Sequence, residues 1–234
     1  GAADPQNLIW VMPAEERVIE PDVVVVASGP GPAVAVPGRG TVIAADGGLE
    51  RAGELGLEVG VVVGDLDSVS AAALARAEAT GTRIVRHPVA KDATDLELAL
   101  DEAAALGARS VLVIGSAGGR LDHLAASLLL LGAERYEALE LDALVGDAVV
   151  HVVRGERTLR GSPGDLVTLL PLGGAAEGVT TSGLEYPLAA ETLSSGTTRG
   201  VSNVFLGEEA RVTVASGVVL AICPSPEPKP EKPK

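Results

Sequence analysis

Clusters of aspartate and glycine follow four short apolar runs in the first half of the 234-residue chain. They are 46–48 (Asp-Gly-Gly), 64–68 (Gly-Asp-Leu-Asp-Ser), 91–95 (Lys-Asp-Ala-Thr-Asp) and 115–123 (Gly-Ser-Ala-Gly-Gly-Arg-Leu-Asp-His). Carboxylates can hold a divalent cation, while glycine amides and basic side chains can hold phosphate oxygens. If the clusters meet, their chemistry is that of phosphoryl transfer, which depends on positioning and charge neutralisation.

Asp65 and Asp67 have the spacing of two ligands to one cation. Residues two apart in an extended chain point the same way, which places these carboxylates about 7 Å apart on one side. Two like charges so close are tolerated when a cation lies between them. The alternative is a solvated acidic turn in which Ser68 caps the next helix. Asp46 likewise follows an apolar run, and Gly47 and Gly48 would let the backbone come close to a ligand. Asp-Gly is, however, also an ordinary turn.

The segment 91–95 combines a helix start with an isolated lysine. Thr94 and Glu97 have the spacing of a capping box, so a structural role accounts for Thr94, and a first-turn position could account for Asp95. Lys91 is different, because the other three lysines all lie in the last six residues. An ammonium group beside carboxylates suits a phosphate or an ordered ion pair.

The fourth cluster indicates a phosphate cradle at a helix N-terminus. Gly118 and Gly119 would expose backbone amides there, and Arg120 would add a bidentate donor. The spacing matches neither a Walker A loop nor a dinucleotide-binding fingerprint. Asp122 could instead be a favourable first-turn acid, and His123 is interpreted as a helix-face residue.

The elements that would position these clusters alternate between strands and helices. We predict strands at 23–27, 41–45, 59–63, 83–86 and 110–114, and helices at 48–55, 71–79, 95–106 and 121–131. The apolar, β-branched strand runs are typical of a parallel sheet buried on both faces, whose ligands bind at the carboxyl ends of its strands. After residue 136, short Val/Leu/Thr runs between Gly/Pro/Ser turns predict a β-sandwich or barrel.

The predicted fold is therefore α/β, with an N-terminal parallel-sheet, Rossmann-like domain followed by a C-terminal all-β sandwich. We assign residues 1–21 to a leader left by processing or cloning, 22–140 to the α/β domain, 141–223 to the sandwich, and 224–234 to a disordered Pro/Glu/Lys tail. A net charge of −14 and 2% aromatic residues argue against a nucleic-acid partner. One cysteine and no apolar run near ~18 residues predict a cytoplasmic protein without a membrane span.

In order and composition, the four clusters resemble the motifs of the thiamine pyrophosphokinase family. The likeness continues in the second half through 164–171 (Gly-Asp-Leu-Val-Thr-Leu-Leu-Pro), 181–188 (Thr-Ser-Gly-Leu-Glu-Tyr-Pro-Leu) and 200–203 (Gly-Val-Ser-Asn). The resemblance implies an α/β ATP-binding domain, a thiamine-binding β-sandwich and a homodimer with thiamine in clefts between subunits. It also implies a reaction in which the thiamine hydroxyl attacks the β-phosphorus of ATP and releases AMP.

Site residues carry over from the resemblance by motif. Asp65, Asp67 and Asp95 would hold Mg²⁺ and, with Lys91, form the catalytic set. Ser202 and Asn203 would face the thiamine pyrimidine. The ATP site would comprise Asp46, Gly47, Gly48, Thr94, Gly118, Gly119, Arg120 and Asp122. The aromatic residue that packs on thiamine stays unassigned among Tyr136, Tyr186 and Phe205.

Two alternatives to thiamine diphosphate synthesis stay open. An enzyme of the same architecture could act on another hydroxymethyl heterocycle, such as a pterin, although the second-half motifs favour thiamine. A nucleotide-binding module that has lost turnover would differ in class. Loss of a metal-site aspartate would favour that module, but Asp65, Asp67 and Asp95 are all present.

Overall fold

The first half of the chain forms parallel strands joined by helices, as its sequence predicts. The computed structural model describes residues 17–29, 36, 40–90 and 92–225. Its first five strands are β1 (Val23–Val26), β2 (Thr41–Ala45), β3 (Val59–Gly64), β4 (Arg83–Arg86) and β5 (Ser110–Gly115). All five run parallel, in the spatial order β5-β1-β2-β3-β4. The β-branched runs suit strands that are covered on both faces.

Three α-helices connect these strands within the described residues, and a fourth follows β5. They are α1 (Gly48–Glu54), α2 (Ala71–Ala79), α3 (Asp95–Ala105) and α4 (Leu121–Leu131). Thr94 caps α3, because its hydroxyl accepts a hydrogen bond from the Glu97 amide at 3.2 Å. Ser70, rather than Ser68, caps α2 by accepting from the Ala73 amide at 3.2 Å.

The second half of the chain extends the same sheet and adds a smaller one. Its strands are β6 (Glu140–Val145), β7 (Ala148–Val153), β8 (Glu156–Arg160), β9 (Leu166–Pro171), β10 (Ala176–Ser182), β11 (Glu191–Leu193), β12 (Asn203–Val204), β13 (Glu209–Thr213) and β14 (Val219–Cys223). The large sheet has ten strands in the order β12-β9-β14-β7-β6-β5-β1-β2-β3-β4, and the small antiparallel sheet has the order β11-β10-β13-β8.

Helices and the small sheet cover the two faces of the large sheet. Side chains of α3 and α4 pack on one face, beside Val25, Ile43 and Val63. On the other face, α1 and α2 pack against Ala44 and Val62. Further along that second face, side chains of the small sheet pack against strands β5, β6, β7, β9 and β14. Because side chains alternate between the two faces along each strand, each strand contributes side chains to the packing on both faces of the sheet.

The α/β class predicted from the sequence is confirmed, but a parallel-sheet domain separated from a sandwich is not confirmed in that form. Strand β6 pairs parallel to β5, and β7 pairs antiparallel to β6, so the sheet continues across residue 140. Hydrophobic periodicity identifies strands but not their neighbours, which explains the difference.

The last residues of the segment predicted to be a leader take part in the fold. The Ile19 amide donates a hydrogen bond to the Asp142 carboxylate at 2.8 Å, and the Glu20 carbonyl accepts one from the Ser110 hydroxyl at 3.2 Å. No helix in the described part of the chain combines the length and apolar character needed to cross a bilayer. The tail beyond residue 225 lies outside the described residues.

Candidate active site

Three carboxylates meet at the carboxyl edge of the parallel strands. Asp46 follows β2, while Asp65 and Asp67 follow the neighbouring β3. One oxygen of each lies within 4.8 Å of an oxygen of the other two. Asp46 is only 5% exposed, Asp65 is half-buried and Asp67 is exposed. The cluster therefore has a buried base and an open side, as a site that admits a ligand from solvent requires.

The backbone around the cluster is locally strained. Leu66 has a φ of 66° and Asp46 a φ of 47°, both in the left-handed region that side-chain-bearing residues seldom adopt. The expectation that 65–67 is extended is therefore wrong. Leu66 is buried beside Leu49 and Val62, so packing of its side chain holds the turn between the two aspartates. Strain of this kind collects at functional sites.

One oxygen of the Asp46 side chain is fully buried. Among the described residues, the Oδ1 atom of Asp46 has no donor within hydrogen-bonding reach. A buried polar atom normally has a partner, because leaving it unpaired costs about 1–3 kcal/mol. Asp67 differs, since its carboxylate accepts a hydrogen bond from the Ser68 hydroxyl at 3.0 Å. The orphaned oxygen of Asp46 is therefore suited to a cation.

Asp95 reaches the same edge from the start of α3. A Cβ atom placed on Gly64 would lie 2.9 Å from the Oδ1 atom of Asp95 and 3.1 Å from the Cβ of Asp46. Asp95 therefore packs against Gly64, whose φ of 148° also favours glycine. The compact trio nevertheless includes Asp46, which sequence reasoning assigned to ATP, rather than Asp95. Lys91 lies outside the described residues.

Gly48 is required by the close packing of a helix on a strand. A Cβ atom at Gly48 would lie 2.0 Å from the carbonyl oxygen of Val26, so only glycine lets α1 approach β1 this closely. A Cβ at Gly47 would lie 3.0 Å from the Oγ of Ser28. The turn after β2 therefore packs against the end of β1.

The segment after β1 lies beside the candidate site, and sequence reasoning did not include it. A Cβ atom at Gly29 would lie 2.8 Å from the Cβ of Ser116, so the segments after β1 and β5 touch. The sheet order reverses between these two strands, and such a crevice is where open α/β sheets bind ligands. A Ser-Gly pair directly after the first apolar run was the available signal.

The segment after β5 presents glycines and an ion pair. Arg120, at the N-cap of α4, donates two hydrogen bonds to Asp122, at 3.2 and 2.6 Å. These hydrogen bonds lower the pKa of Asp122 to about 2. Both side chains are exposed, and Gly118 and Gly119 precede them. Because β5 lies two strands from β2, this segment is about 10 Å from Asp46 along the sheet.

Ser202 and Asn203 lie at the opposite edge of the large sheet. Asn203 belongs to β12 and is buried, and its amide group contacts backbone: Oδ1 accepts from the amides of Tyr186 and Val204, and Nδ2 donates to the Tyr186 carbonyl at 2.7 Å. Ser202 is exposed with a φ of 57°. Tyr186 is 52% exposed, whereas Tyr136 and Phe205 are buried, so of these three rings only Tyr186 is accessible.

The two groups of predicted ligand residues are far apart within one chain. Six strands separate β12 from β2 in the large sheet. At the usual spacing between strands, Asn203 and Asp46 are about 34 Å apart along the sheet. Asp46 and Asn203 of one chain therefore cannot contact one small molecule.

The fold and the carboxylate cluster define a class of protein. Its members are α/β proteins with carboxylates at the ligand-binding end of a parallel sheet. Comparison with protein families narrows the class. Residues 38–141 match the model described as "Thiamin pyrophosphokinase, catalytic domain", and residues 150–219 match "Thiamin pyrophosphokinase, vitamin B1 binding domain". Together the matches cover well over half of the chain, and the chain belongs to the thiamine pyrophosphokinase family.

Individual relatives agree with this assignment. Thiamine pyrophosphokinase of Bacillus subtilis is 25% identical over 176 residues, which cover 71% of this chain and 80% of that protein. Thiamine pyrophosphokinase 1 of Arabidopsis thaliana is 29% identical over 170 residues, covering 67% of this chain and 61% of the plant protein.

Solved structures show the same fold. The crystal structure of thiamine pyrophosphokinase from Bacillus subtilis superposes with a TM-score of 0.77 at 22% identity, covering 88% of this chain and 99% of that one. The enzyme from Candida albicans has a TM-score of 0.71 at 15% identity, covering 91% and 90%.

Proposed function

We propose that this protein transfers the diphosphate group of ATP to the hydroxyl of thiamine, which yields thiamine diphosphate and AMP. The observation that carries the proposal is the meeting of Asp46, Asp65 and Asp67 at the ligand-binding edge of a chain in the thiamine pyrophosphokinase family. Three carboxylates in one place are suited to the cation that accompanies a triphosphate. The proposed division of labour is ATP binding by residues 22–140 and thiamine binding by 141–223.

The donor set fits Mg²⁺. The cluster offers only hard carboxylate oxygens, and the buried Oδ1 of Asp46 has no partner among the described residues. When bound, Mg²⁺ would neutralise charge on the phosphate oxygens in the transition state. We propose Asp46, Asp65 and Asp67 as its ligands, with Asp95 completing the acidic wall beside Gly64.

The remaining edge residues would hold and orient the nucleotide. Ser28 and Ser116 would line the crevice between β1 and β5, and the amides of Gly118 and Gly119 would face phosphate oxygens at the start of α4. Arg120 would exchange part of its contact with Asp122 for a phosphate oxygen. The thiamine hydroxyl oxygen would bond to the β-phosphorus while the bond from that phosphorus to the oxygen bridging the α-phosphorus breaks, and AMP would leave with that oxygen.

The position of β12 supports a homodimer. Thiamine held near Ser202 would lie tens of ångströms from the acidic cluster of the same chain, as the order of strands in the large sheet requires. A second copy could place its own β12 edge against the cluster, and twofold symmetry would then form two equivalent sites. The homodimer and the cytoplasmic location are proposals that rest on this distance and on the sequence respectively.

Product analysis tests the proposed reaction. Purified protein with ATP, Mg²⁺ and thiamine is expected to release AMP and thiamine diphosphate, whereas a hydroxymethyl pterin in place of thiamine should yield neither. The Asp67→Asn variant should turn over at least ~100-fold more slowly with an unchanged circular dichroism spectrum. ADP as the product would mean monophosphate transfer, and absence of any thiamine-dependent product would favour a nucleotide-binding module.

A further inference from the structure

Arg17 forms a buried ion pair that joins the start of the described chain to its second half. Its Nη2 atom lies 2.6 Å from the Oδ2 atom of Asp165, and its Nε atom donates to the carbonyl oxygen of Arg160 at 3.3 Å. Arg17 is 6% exposed and Asp165 is 8% exposed. Arg17 also precedes residue 38, where the match to the catalytic-domain family begins. Arg17 therefore lies outside both matched regions, whereas its partner Asp165 lies within the match at residues 150–219.

Asp165 controls the turn that leads into β9. Its carboxylate also accepts a hydrogen bond from the Ser162 amide at 2.9 Å, which closes the turn. On the backbone, the Phe205 amide donates to the Asp165 carbonyl, and the Gly164 amide donates to the Phe205 carbonyl, both at 2.9 Å. The turn that Arg17 contacts is consequently bonded to the residue immediately after β12.

Strand β12 depends on this support more than a central strand would. It has only two residues, lies at the edge of the large sheet and pairs with a single strand, β9, through Asn203–Val167 and Val204–Leu166. Just before it, the Ser202 amide donates to the Thr168 hydroxyl at 3.1 Å. These contacts run to β9 or to the turn before it, and the other contacts of the strand run to the backbone of Glu185 and Tyr186. A shift of the turn before β9 would therefore disturb Ser202 and Asn203 on the β9 side.

We propose that Arg17 is a positioning residue for the thiamine side of the active site, acting through Asp165 and β9 on the β12 edge. The inference rests on the proposed function for the identity of the ligand. Within one chain Arg17 is separated from the ATP side, because Asp46 lies at the far part of the same sheet, and in the proposed dimer Arg17 would still act only through the β12 edge. Loss of the pair would leave the Asp165 carboxylate buried without its cation, which favours local rearrangement of the turn. Loss of Arg17 should therefore weaken the binding of thiamine and leave the binding of ATP unchanged.

Steady-state kinetics on the full chain test this selectivity. Arg17→Ala is expected to raise KM for thiamine about tenfold while KM for ATP stays within about twofold, since small displacements of a binding element have effects of this size. Arg17→Lys, which keeps the charge but not the forked geometry, should lie between Arg17→Ala and the unaltered protein. Arg109→Ala is the matched control, because Arg109 is 91% exposed and its Nε lies 3.9 Å from Asp22.

Hydrogen exchange supplies a readout that does not depend on turnover. Amides of residues 203–205 should exchange faster in Arg17→Ala than in Arg109→Ala, while those of β2 and β3 are unchanged. Equal rises in both KM values, or an unchanged KM for thiamine, would overturn the proposal. If Arg17→Ala does not fold, the same KM values and exchange rates can be compared between Arg17→Lys or Asp165→Asn and the Arg109→Ala control. Faster exchange without any thiamine-dependent AMP release would support the coupling and refute the proposed function instead.

Discussion

At the scale of single residues, the acidic site is built by one buried carboxylate and two more accessible ones. Asp46 contributes an oxygen without a partner among the described residues, whereas Asp67 is already hydrogen-bonded to Ser68. Like charges this close repel one another, and the repulsion is relieved when a cation binds between them. The difference in burial makes Asp46 the residue whose charge is hardest to satisfy without a cation.

Another buried acid, Asp142, has its hydrogen-bond and ion-pair partners within the protein. It contacts Nδ1 of His151 at 2.9 Å, Nη2 of Arg157 at 2.6 Å and the amide of Ile19. Burial alone would lower the pKa of His151, but the charge and hydrogen bond of Asp142 outweigh it and raise this pKa from 6.5 to about 9. The imidazolium form is thus stabilised inside the fold.

This pKa predicts how stability depends on pH. A group whose pKa is raised by folding contributes its full stabilisation below its unfolded pKa and loses it as pH rises through the folded value. The free energy of unfolding should therefore fall between about pH 6.5 and pH 9. Urea denaturation across this range should show the fall in the unaltered protein and a flatter profile in His151→Gln. His123→Gln, at an exposed position in α4, should retain the fall; parallel profiles for both variants would contradict the assignment.

At the scale of elements, the site depends on how closely α1 packs on β1. The helix begins two residues after Asp46, so its placement also sets the direction of that side chain. Leu66 has a comparable role after β3, where its buried side chain holds a left-handed turn between two carboxylates. Packing of short apolar groups therefore determines the geometry of the charged ones.

Gly48 and Gly53 form a matched pair within α1. A Cβ at Gly48 would lie 2.0 Å from the Val26 carbonyl oxygen, whereas a Cβ at Gly53 would meet nothing within 4 Å. Gly48→Ala should destabilise the protein by about 1–3 kcal/mol through overpacking. Gly53→Ala should be neutral or stabilising by up to about 1 kcal/mol, because alanine favours helix. Thermal unfolding of both variants checks this, and equal effects would argue against the described packing of α1.

The sequence predicted individual elements of the first half well. The predicted bounds of α2 (71–79) and α4 (121–131) are confirmed, because Ala/Leu-rich segments between turn residues have a clear helical period. The meeting of Asp46 with Asp65 and Asp67 followed from the rule that parallel strands end at one edge. Sequence rules did not predict the left-handed turn at Leu66 or the continuity of the sheet across residue 140, because both depend on tertiary packing.

At the scale of the whole molecule, one continuous sheet separates the two groups of substrate residues. The acidic cluster lies among β2 and β3, and Ser202 and Asn203 lie at the β12 edge. We therefore propose that a catalytic site that uses both combines edges from two copies of the chain.

Complementation between two defective variants tests this arrangement. Asp67→Asn and a β12 variant, Ser202→Arg, should each be nearly inactive alone, because one lacks the acidic cluster and the other blocks the thiamine edge. When both are coexpressed, half of the dimers are mixed and each mixed dimer has one intact site, so about a quarter of full activity should return. Asp147→Asn, at an exposed turn, is the control partner: coexpressed with Asp67→Asn, it should give about half of full activity, because every site with an intact acidic cluster then also has an intact β12 edge. No recovery in dimers shown to be mixed would mean that each site belongs to one chain.

Measuring cation binding shows whether Asp46, Asp65 and Asp67 hold the divalent cation that accompanies ATP. Mn²⁺, a spectroscopic substitute for Mg²⁺, can be titrated by electron paramagnetic resonance in the presence of a non-hydrolysable ATP analogue. The unaltered protein and Asp147→Asn should bind Mn²⁺ with the same affinity, and Asp46→Asn should bind at least about tenfold more weakly with its fold retained. Undiminished Mn²⁺ affinity in Asp46→Asn would contradict the account.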